Sequence, residues 1–162
     1  MLDQAKVIVT NTTPLIALTA ATGSLDVLHV LYSRVIVPYE VAEEIRAGGK
    51  EAFGLAIFEQ ASWLEIHTDP VVLPPYLQNT LDLGEASVIQ TALQQGVNRV
   101  CIDETIGRRV ARLSNLSVTG SIGVLLKAKS MGYPVSMSDA IGRMRERGIW
   151  LSNAVIGFAL AH

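Results

Sequence analysis

Apolar and polar positions along this chain fall into a recurring order. A short run of β-branched or apolar residues comes first, then a polar turn, then a stretch whose apolar residues return every three or four positions. Val7-Ile8-Val9 is the first such run and predicts a short buried strand. The Asn11-Thr12-Thr13 turn after it delivers Pro14, a residue suited to the first position of a helix. Leu15, Ile16 and Leu18 continue that helix to Gly23, and Ser24-Leu25-Asp26 opens another that carries Leu28 and Leu31. Arg34-Val35-Ile36-Val37 predicts a second strand, followed from Pro38 by a helix over 39–47 that Gly48-Gly49 stops. A helix over 51–60 and a short edge strand over 63–66 come next. Residues 69–75 hold three of the six prolines and predict a loop.

The second half repeats the order. Asp82-Leu83-Gly84-Glu85 opens a helix that runs to Gln95, with Ala86, Ile89, Ala92 and Leu93 on its buried side. Arg99-Val100-Cys101-Ile102 predicts a strand ending at Asp103-Glu104. The helix over 105–114 after it places Ile106, Val110 and Leu113 on one face. A strand over 116–118, a helix over 121–131, a helix capped by Ser136 or Ser138 that reaches Arg147, and a last helix capped by Ser152 complete the chain. Strands and helices alternate through short connections, with no internal repeat and no linker. That pattern predicts one α/β domain over 1–162 with a mostly parallel central sheet.

In open sheets of this kind ligands bind just beyond the carboxyl ends of the strands, and this rule directs attention to particular polar residues. Asn11 stands at such an end; a turn and helix-cap role is its alternative reading. At about 100° per residue, Glu43 points away from the Val41/Ile45 stripe whereas Glu44 flanks it. Glu85 projects on the buried side of its helix, and Asp82-x-x-Glu85 also has the spacing of a helix-capping arrangement. Asp103 and Glu104 follow a strand directly, where they can serve as a cap and a first-turn acid as well as a site. Glu44, Glu85 and Asp103 together fall at element ends that a parallel fold can bring to the edge where Asn11 lies. Carboxylates gathered there repel unless a cation neutralises them, and oxygen ligands with little histidine suit Mg²⁺ or Mn²⁺.

The remaining candidates are weaker. His29, His67 and His162 lack ligand spacing, and Cys101 reads as a small core residue. Gly48-Gly49-Lys50 resembles the end of a phosphate loop without its first glycine, and no dinucleotide fingerprint follows the first strand. Gly120-Ser121-Ile122-Gly123 offers backbone amides to a phosphate, with a plain tight turn as the alternative. Arg108 and Arg112 share a helix face, as do Arg143 and Arg147. Composition narrows the field further. With 49% hydrophobic residues the chain can bury a sizeable core, and a net charge of −2 with a pI of about 5.9 excludes a general basic field for duplex DNA. One cysteine excludes an internal disulfide framework. The first ten residues lack a signal-peptide pattern, and no apolar run reaches the roughly 18–20 residues of a membrane span. A soluble, cytoplasmic protein is expected.

Taken in order, five motifs resemble a known family: Asn-Thr-Thr-Pro-Leu-Ile from Asn11, Val-Ala-Glu-Glu-Ile from Val41, Leu-Gly-Glu-Ala from Leu83, Ile-Asp-Glu-x-x-Gly-Arg-Arg-Val-Ala from Ile102, and Val-Thr-Gly-Ser-Ile-Gly-Val-Leu-Leu-Lys-Ala-Lys from Val118. They are similar to a PIN-like subgroup related to the VapC-type toxins, with a core over about 7–131 and a looser helical tail over 132–162. The resemblance implies a three-layer sandwich, a central parallel sheet with helices on both faces. It also implies a Mg²⁺- or Mn²⁺-dependent endoribonuclease acting on single-stranded RNA, the toxin of a toxin–antitoxin pair, with a cognate antitoxin and a homodimer as partners. By position the four catalytic places fall on Asn11, Glu44, Glu85 and Asp103. Glu85, Asp103, Asn11 and Glu104 are the implied metal ligands, and Thr12, Thr13, Arg108, Arg112 and Ser121 lie where substrate would bind. Asn11 stands where the family ordinarily has aspartate, which lowers the formal negative charge of the site by one. A non-catalytic PIN-like protein that binds nucleic acid or an antitoxin is the alternative that this departure raises. A receiver-like or nucleotide-binding α/β module is a third.

Overall fold

The structure is a computed structural model of the chain and describes residues 6–48 and 52–162. Five strands, β1 (Val7–Thr10), β2 (Arg34–Val37), β3 (Glu65–Ile66), β4 (Arg99–Cys101) and β5 (Ser117–Thr119), form one parallel sheet in the order β3-β2-β1-β4-β5. Val9 is in register with both Ile36 and Val100, so β1 is the centre of the sheet. Every residue of β1 is buried, as a strand covered by helices on both faces requires.

The helices of the first half are α1 (Thr12–Thr22), α2 (Asp26–Leu31), α3 (Tyr39–Ala47), α4 (Leu55–Gln60) and α5 (Pro75–Thr80). Those of the second half are α6 (Leu83–Gln95), α7 (Thr105–Leu113), α8 (Ser121–Ser130), α9 (Met137–Glu146) and α10 (Asn153–Ala161). One packed group contains α3, α5, α6 and α7, with α6 laid across β1 and β4; another contains α1, α2, α8 and α9. This is the three-layer α/β sandwich the sequence predicts. The chain runs outward from β1 through β2 to β3, then returns to build β4 and β5 on the other side. The switch point between β1 and β4 opens a crevice at the carboxyl edge, the place where open sheets of this kind bind ligands.

Several elements differ from the sequence expectation, each for a physical reason. Pro14 is the third residue of α1, not the first; its missing N–H still falls among the donors that have no partner in the first turn. The helix expected over 51–60 begins only at Leu55, because Gly54 precedes it at φ 88° in the left-handed region; Glu51, with Gly49 and Lys50, lies outside the described residues. The loop of 69–75 is shorter than expected, since Pro75 opens α5 and tolerates a helical first position. The edge strand shrinks to two residues, where Glu65 accepts two hydrogen bonds from Arg34 at 2.6 and 2.8 Å.

The apolar stripe of α7 exists but faces outward. Ile106 is 62% and Leu113 75% exposed, whereas Gly107 and Ala111 are the buried positions of that helix. Small residues let α7 approach the sheet closely and leave its larger ones on the rim. Leu93, expected inside, is 41% exposed and lines a groove of about 510 Å³ with Tyr76, Thr80, Val110 and Leu113. Among the described residues no helix is long and apolar enough to cross a membrane.

This division between inner and outer apolar positions is measurable in the monomer by urea denaturation. Ile36→Ala, at a fully buried site in β2, should cost about 2–5 kcal/mol. Leu113→Ala should change stability by no more than about 0.5 kcal/mol. A large loss at Leu113 would place the face of α7 inside the fold.

Candidate active site

The carboxyl edge gathers the starts of four helices, and the residues at those starts make the site. Asn11 follows β1 and precedes α1; its backbone N–H extends the ladder to the carbonyl of Cys101 at 3.1 Å. Its side chain makes no hydrogen bond among the described residues, although the residue is only 4% exposed. Beside it, the Thr12 hydroxyl donates to Glu44 Oε2 at 3.1 Å, which ties α1 to the exposed Glu44 on α3. Asp82 caps α6, accepting from the backbone N–H of Glu85 at 2.8 Å. The cap expected from the Asp82-x-x-Glu85 spacing is therefore present.

Glu85 is the residue under the greatest electrostatic constraint. It is 6% exposed, and its Oε2 has no hydrogen-bond partner. Burial, a hydrogen bond with Asp82, the charge of Asp82 and the charge of Glu104 push its carboxyl up to about 8. At neutral pH the metal-free protein therefore keeps a proton on Glu85. Asp103, half-buried after β4, is also raised by burial, opposed by a hydrogen bond from Ser121 N–H at 2.7 Å and by the nearby Arg108 cation. The guanidinium of Arg108 is itself positioned by donation to the Ile102 carbonyl at 2.9 Å.

Three glycines record how closely these groups approach the helix starts. A Cβ on Gly84 would lie 2.9 Å from Asn11 Oδ1, 3.1 Å from Glu44 Oε2 and 3.6 Å from Asp82 Oδ1. One on Gly107 would collide with Glu85 Oε2. One on Gly120 would lie 2.6 Å from Asp103 Oδ1 and 2.8 Å from Arg108 Nη1. Side-chain oxygens thus occupy the space that a methyl group would take at the starts of α6, α7 and α8.

The structure places the sequence candidates in two adjoining groups. Asn11, Thr12, Glu44 and Glu85 come together around Asp82 and Gly84, with Glu104 exposed but close enough to act on Glu85. Asp103, Arg108 and Ser121 meet at Gly120. The amide of Ser121, a candidate for phosphate, is engaged by Asp103. Thr13 is half-buried at the start of α1, without a side-chain hydrogen bond among the described residues. Arg112 is exposed near the other end of α7, about 10 Å along the helix axis from Thr105.

Two acids that bear on this edge escaped the sequence reading. The sequence marks Asp82 only as a cap. Glu40 is 8% exposed; its Oε2 accepts from Val71 N–H at 2.8 Å and its Oε1 has no partner. A signal for Asp82 was present in the glycine two residues after it, which a helix start does not need. Nothing in the local sequence marked Glu40, because its burial depends on a segment some 30 residues downstream.

A model of the PIN domain matches residues 7–162. The chain belongs to the PIN-domain family. PIN domains form a nuclease-type family that generally uses divalent metal ions. No curated protein and no solved structure matches the chain. Whether this PIN domain's own residues suit a cation can be judged from its donors. They are oxygens: two inward side chains of Asn11 and Glu85, one of them with an orphaned buried atom, and a cradle at Gly84. Among the described residues no three His, Cys, Asp or Glu side chains are drawn together as a ready-made cage. That combination suits a hard cation that keeps several waters and takes only one or two carboxylates directly. Two of the histidines are engaged elsewhere, His29 stacked on Trp63 at 4.6 Å and His162 packed on Phe158. Cys101 is a core residue whose thiol is pushed up by burial and by the charge of Asp103.

The buried acid makes stability depend on pH in a definite direction. Glu85 holds its proton to about pH 8 when folded and releases it near 4.5 when unfolded. Between those values the unfolded state has fewer protons, so this group's contribution to stability falls as pH rises and is lost by about 8. Glu85→Gln, in chelator, should therefore raise the melting temperature at pH 8 relative to its effect at pH 5, by on the order of 5–15 °C. Equal effects at both pH values would show that Glu85 is not held protonated.

Proposed function

We propose that this PIN-domain protein is a Mg²⁺- or Mn²⁺-dependent endoribonuclease that cleaves single-stranded RNA as the cytoplasmic toxin of a toxin–antitoxin pair. The observation that carries the enzymatic part is Glu85: a buried carboxyl group with an unpartnered oxygen, set against other acids at the switch point of the sheet. Such a group is unfavourable in the metal-free fold and becomes favourable beside a cation. The toxin role rests on the likeness of the motifs between Asn11 and Lys129 to those of VapC-type toxins.

Glu85 and Asp103 would hold the metal directly with the Asn11 carbonyl oxygen, and Glu104 would reach it through water. When bound, it would supply a Lewis acid that activates water and neutralises charge on the phosphate. The chain's own groups account for positioning. Thr12 holds the Glu44 carboxylate toward the cradle, where it can orient water. Arg108, fixed by Ile102, presents a guanidinium beside Asp103 to bind a phosphate of the RNA backbone. Thr13, Ser121 and Arg112 supply further contacts along the strand. In the proposed homodimer a second copy covers the apolar groove of Leu93, Val110 and Leu113.

One observation favours a second reading. Asn11 is neutral, and hard-cation affinity depends on ligand charge, so a protein that binds RNA or an antitoxin without cleaving is the rival. Cleavage of single-stranded RNA with Mn²⁺ and with chelator distinguishes the two. The enzyme reading expects cleavage only with metal, lowered at least about 100-fold in Glu85→Gln and in Asp103→Asn. Metal-independent cleavage, or variants as active as the parent, would reject it. RNA binding that survives chelation without any cleavage would support the rival.

A further inference from the structure

Glu40 is a buried acid at the carboxyl edge that the site described above does not use. It lies in the first turn of α3 and is 8% exposed; its Oε2 accepts from Val71 N–H at 2.8 Å, and its Oε1 has no partner. We propose that residues 67–74 form a strap that Glu40 latches at Val71, and that release of this latch opens the β2 side of the crevice to single-stranded RNA. The RNA part rests on the function proposed above, whereas the latch stands on geometry alone.

The course of the strap puts it beside the site. It begins where His67 N–H donates to the Val37 carbonyl at 2.9 Å, at the carboxyl end of β2. It ends where the Pro74 carbonyl accepts from Leu77 and Gln78 at the start of α5. Between those ends it meets the start of α3, and α5 then packs on α6, the helix that carries Glu85. Glu40 and Glu44 are four residues apart and share a face of α3. The latch is therefore one helical turn, about 5.4 Å, from the carboxylate that Thr12 holds.

The strap is held lightly. Among the described residues, the bond to Glu40 is the only hydrogen bond made by residues 68–73. No residue between Leu64 and Leu77 is buried; Val72 is 84% exposed, and Val71 and Leu73 are half-buried. A segment with so few buried contacts opens at low free energy while the rest of the fold stays closed. The latch also contains its own opposition. When closed it shuts Oε1 away from water with nothing to bond it, whereas in the open state water reaches both oxygens. A clamp that served only to fix the segment would be stronger with a partner for that oxygen. Pro70 and Pro74 stiffen the strap and supply no N–H, so it moves as a piece between its two anchored ends.

The test uses the full chain. Amide hydrogen exchange by NMR reads the latch, and fluorescence anisotropy in Mn²⁺ reads affinity for a single-stranded phosphorothioate RNA. In the parent, the Val71 amide should exchange at least about 100-fold faster than the amides of β1. Glu40→Leu removes the latch and should speed Val71 exchange a further 10-fold or so, with β1 exchange unchanged. Glu40→Gln keeps an acceptor for Val71 and should stay close to the parent. Val71→Pro removes the donor and leaves Glu40 in place. If only the open strap admits RNA, Glu40→Leu and Val71→Pro should each bind it about 3- to 10-fold more tightly. Val71 exchange as slow as that of β1 in the parent would overturn the strap as a unit that opens by itself. Faster β1 exchange in Glu40→Leu would overturn it too, as the loss of a structural clamp. Unchanged or weaker RNA affinity in both variants, with Val71 exchange released, would overturn the gate. A parent that binds no RNA would remove the nucleic-acid reading, while Val71 exchange would still decide the latch.

Discussion

Glu85 sits at the start of α6 with one carboxyl oxygen unpartnered and a second acid, Asp82, as its hydrogen-bonding neighbour. Keeping such a group inside a protein is the constraint on which the surrounding structure depends. Helix α6 must lie across β1 and β4 for Glu85 to reach the edge of the sheet. Gly107 must lack a side chain, because Glu85 Oε2 occupies the space its Cβ would take. Burial on this scale is tolerated in the metal-free state by leaving the proton in place.

The order of strands and helices was legible because each apolar run is short, β-branched and followed by a polar turn. Arg34–Val37 and Tyr39–Ala47 fall on the residues expected of them. Direction was harder to read than period. Ile106, Val110 and Leu113 do share a face, but periodicity does not say which side of a helix meets the sheet, and here Gly107 and Ala111 do. Helix α5 stayed hidden because two adjacent prolines suggest a loop, although the second can begin a helix. At the site, Asn11, Glu44, Glu85 and Asp103 could be located because strand ends and helix starts could be. Asp82 could not, since the capping explanation for it is complete in itself. Glu40 could not either, because its partner, Val71, is supplied by the far side of a connection through α4 and β3.

Glycines at helix starts carry information that a list of acids does not. A glycine inside a helix costs roughly 0.5–1 kcal/mol relative to alanine, so the two inside α6 and α7 need a reason. Gly84 and Gly107 lie within the first turns of their helices, and Gly120 is the cap of α8. In each case a polar atom of the candidate site stands where a methyl group would be. The shape of the site is therefore written as missing atoms, distributed over the starts of three consecutive helices. Read together with the strand ends, those absences outline the crevice more sharply than the carboxylates do alone.

Helix starts also explain how so many acids can be held in one place. The amino-terminal ends of α1, α6, α7 and α8 all face the carboxyl edge, and each brings partial positive charge from its free N–H groups. Asp103 uses one oxygen to accept from Ser121 N–H, and Asp82 uses one to accept from Glu85 N–H. Each carboxylate is fixed in orientation by that bond. Glu44 is held in a different way, by the Thr12 hydroxyl. Orientation by a backbone or hydroxyl partner is what a ligand carboxylate needs in order to meet a cation without reorganising. The same bonds that finish the helices thereby fix the carboxylates at this edge.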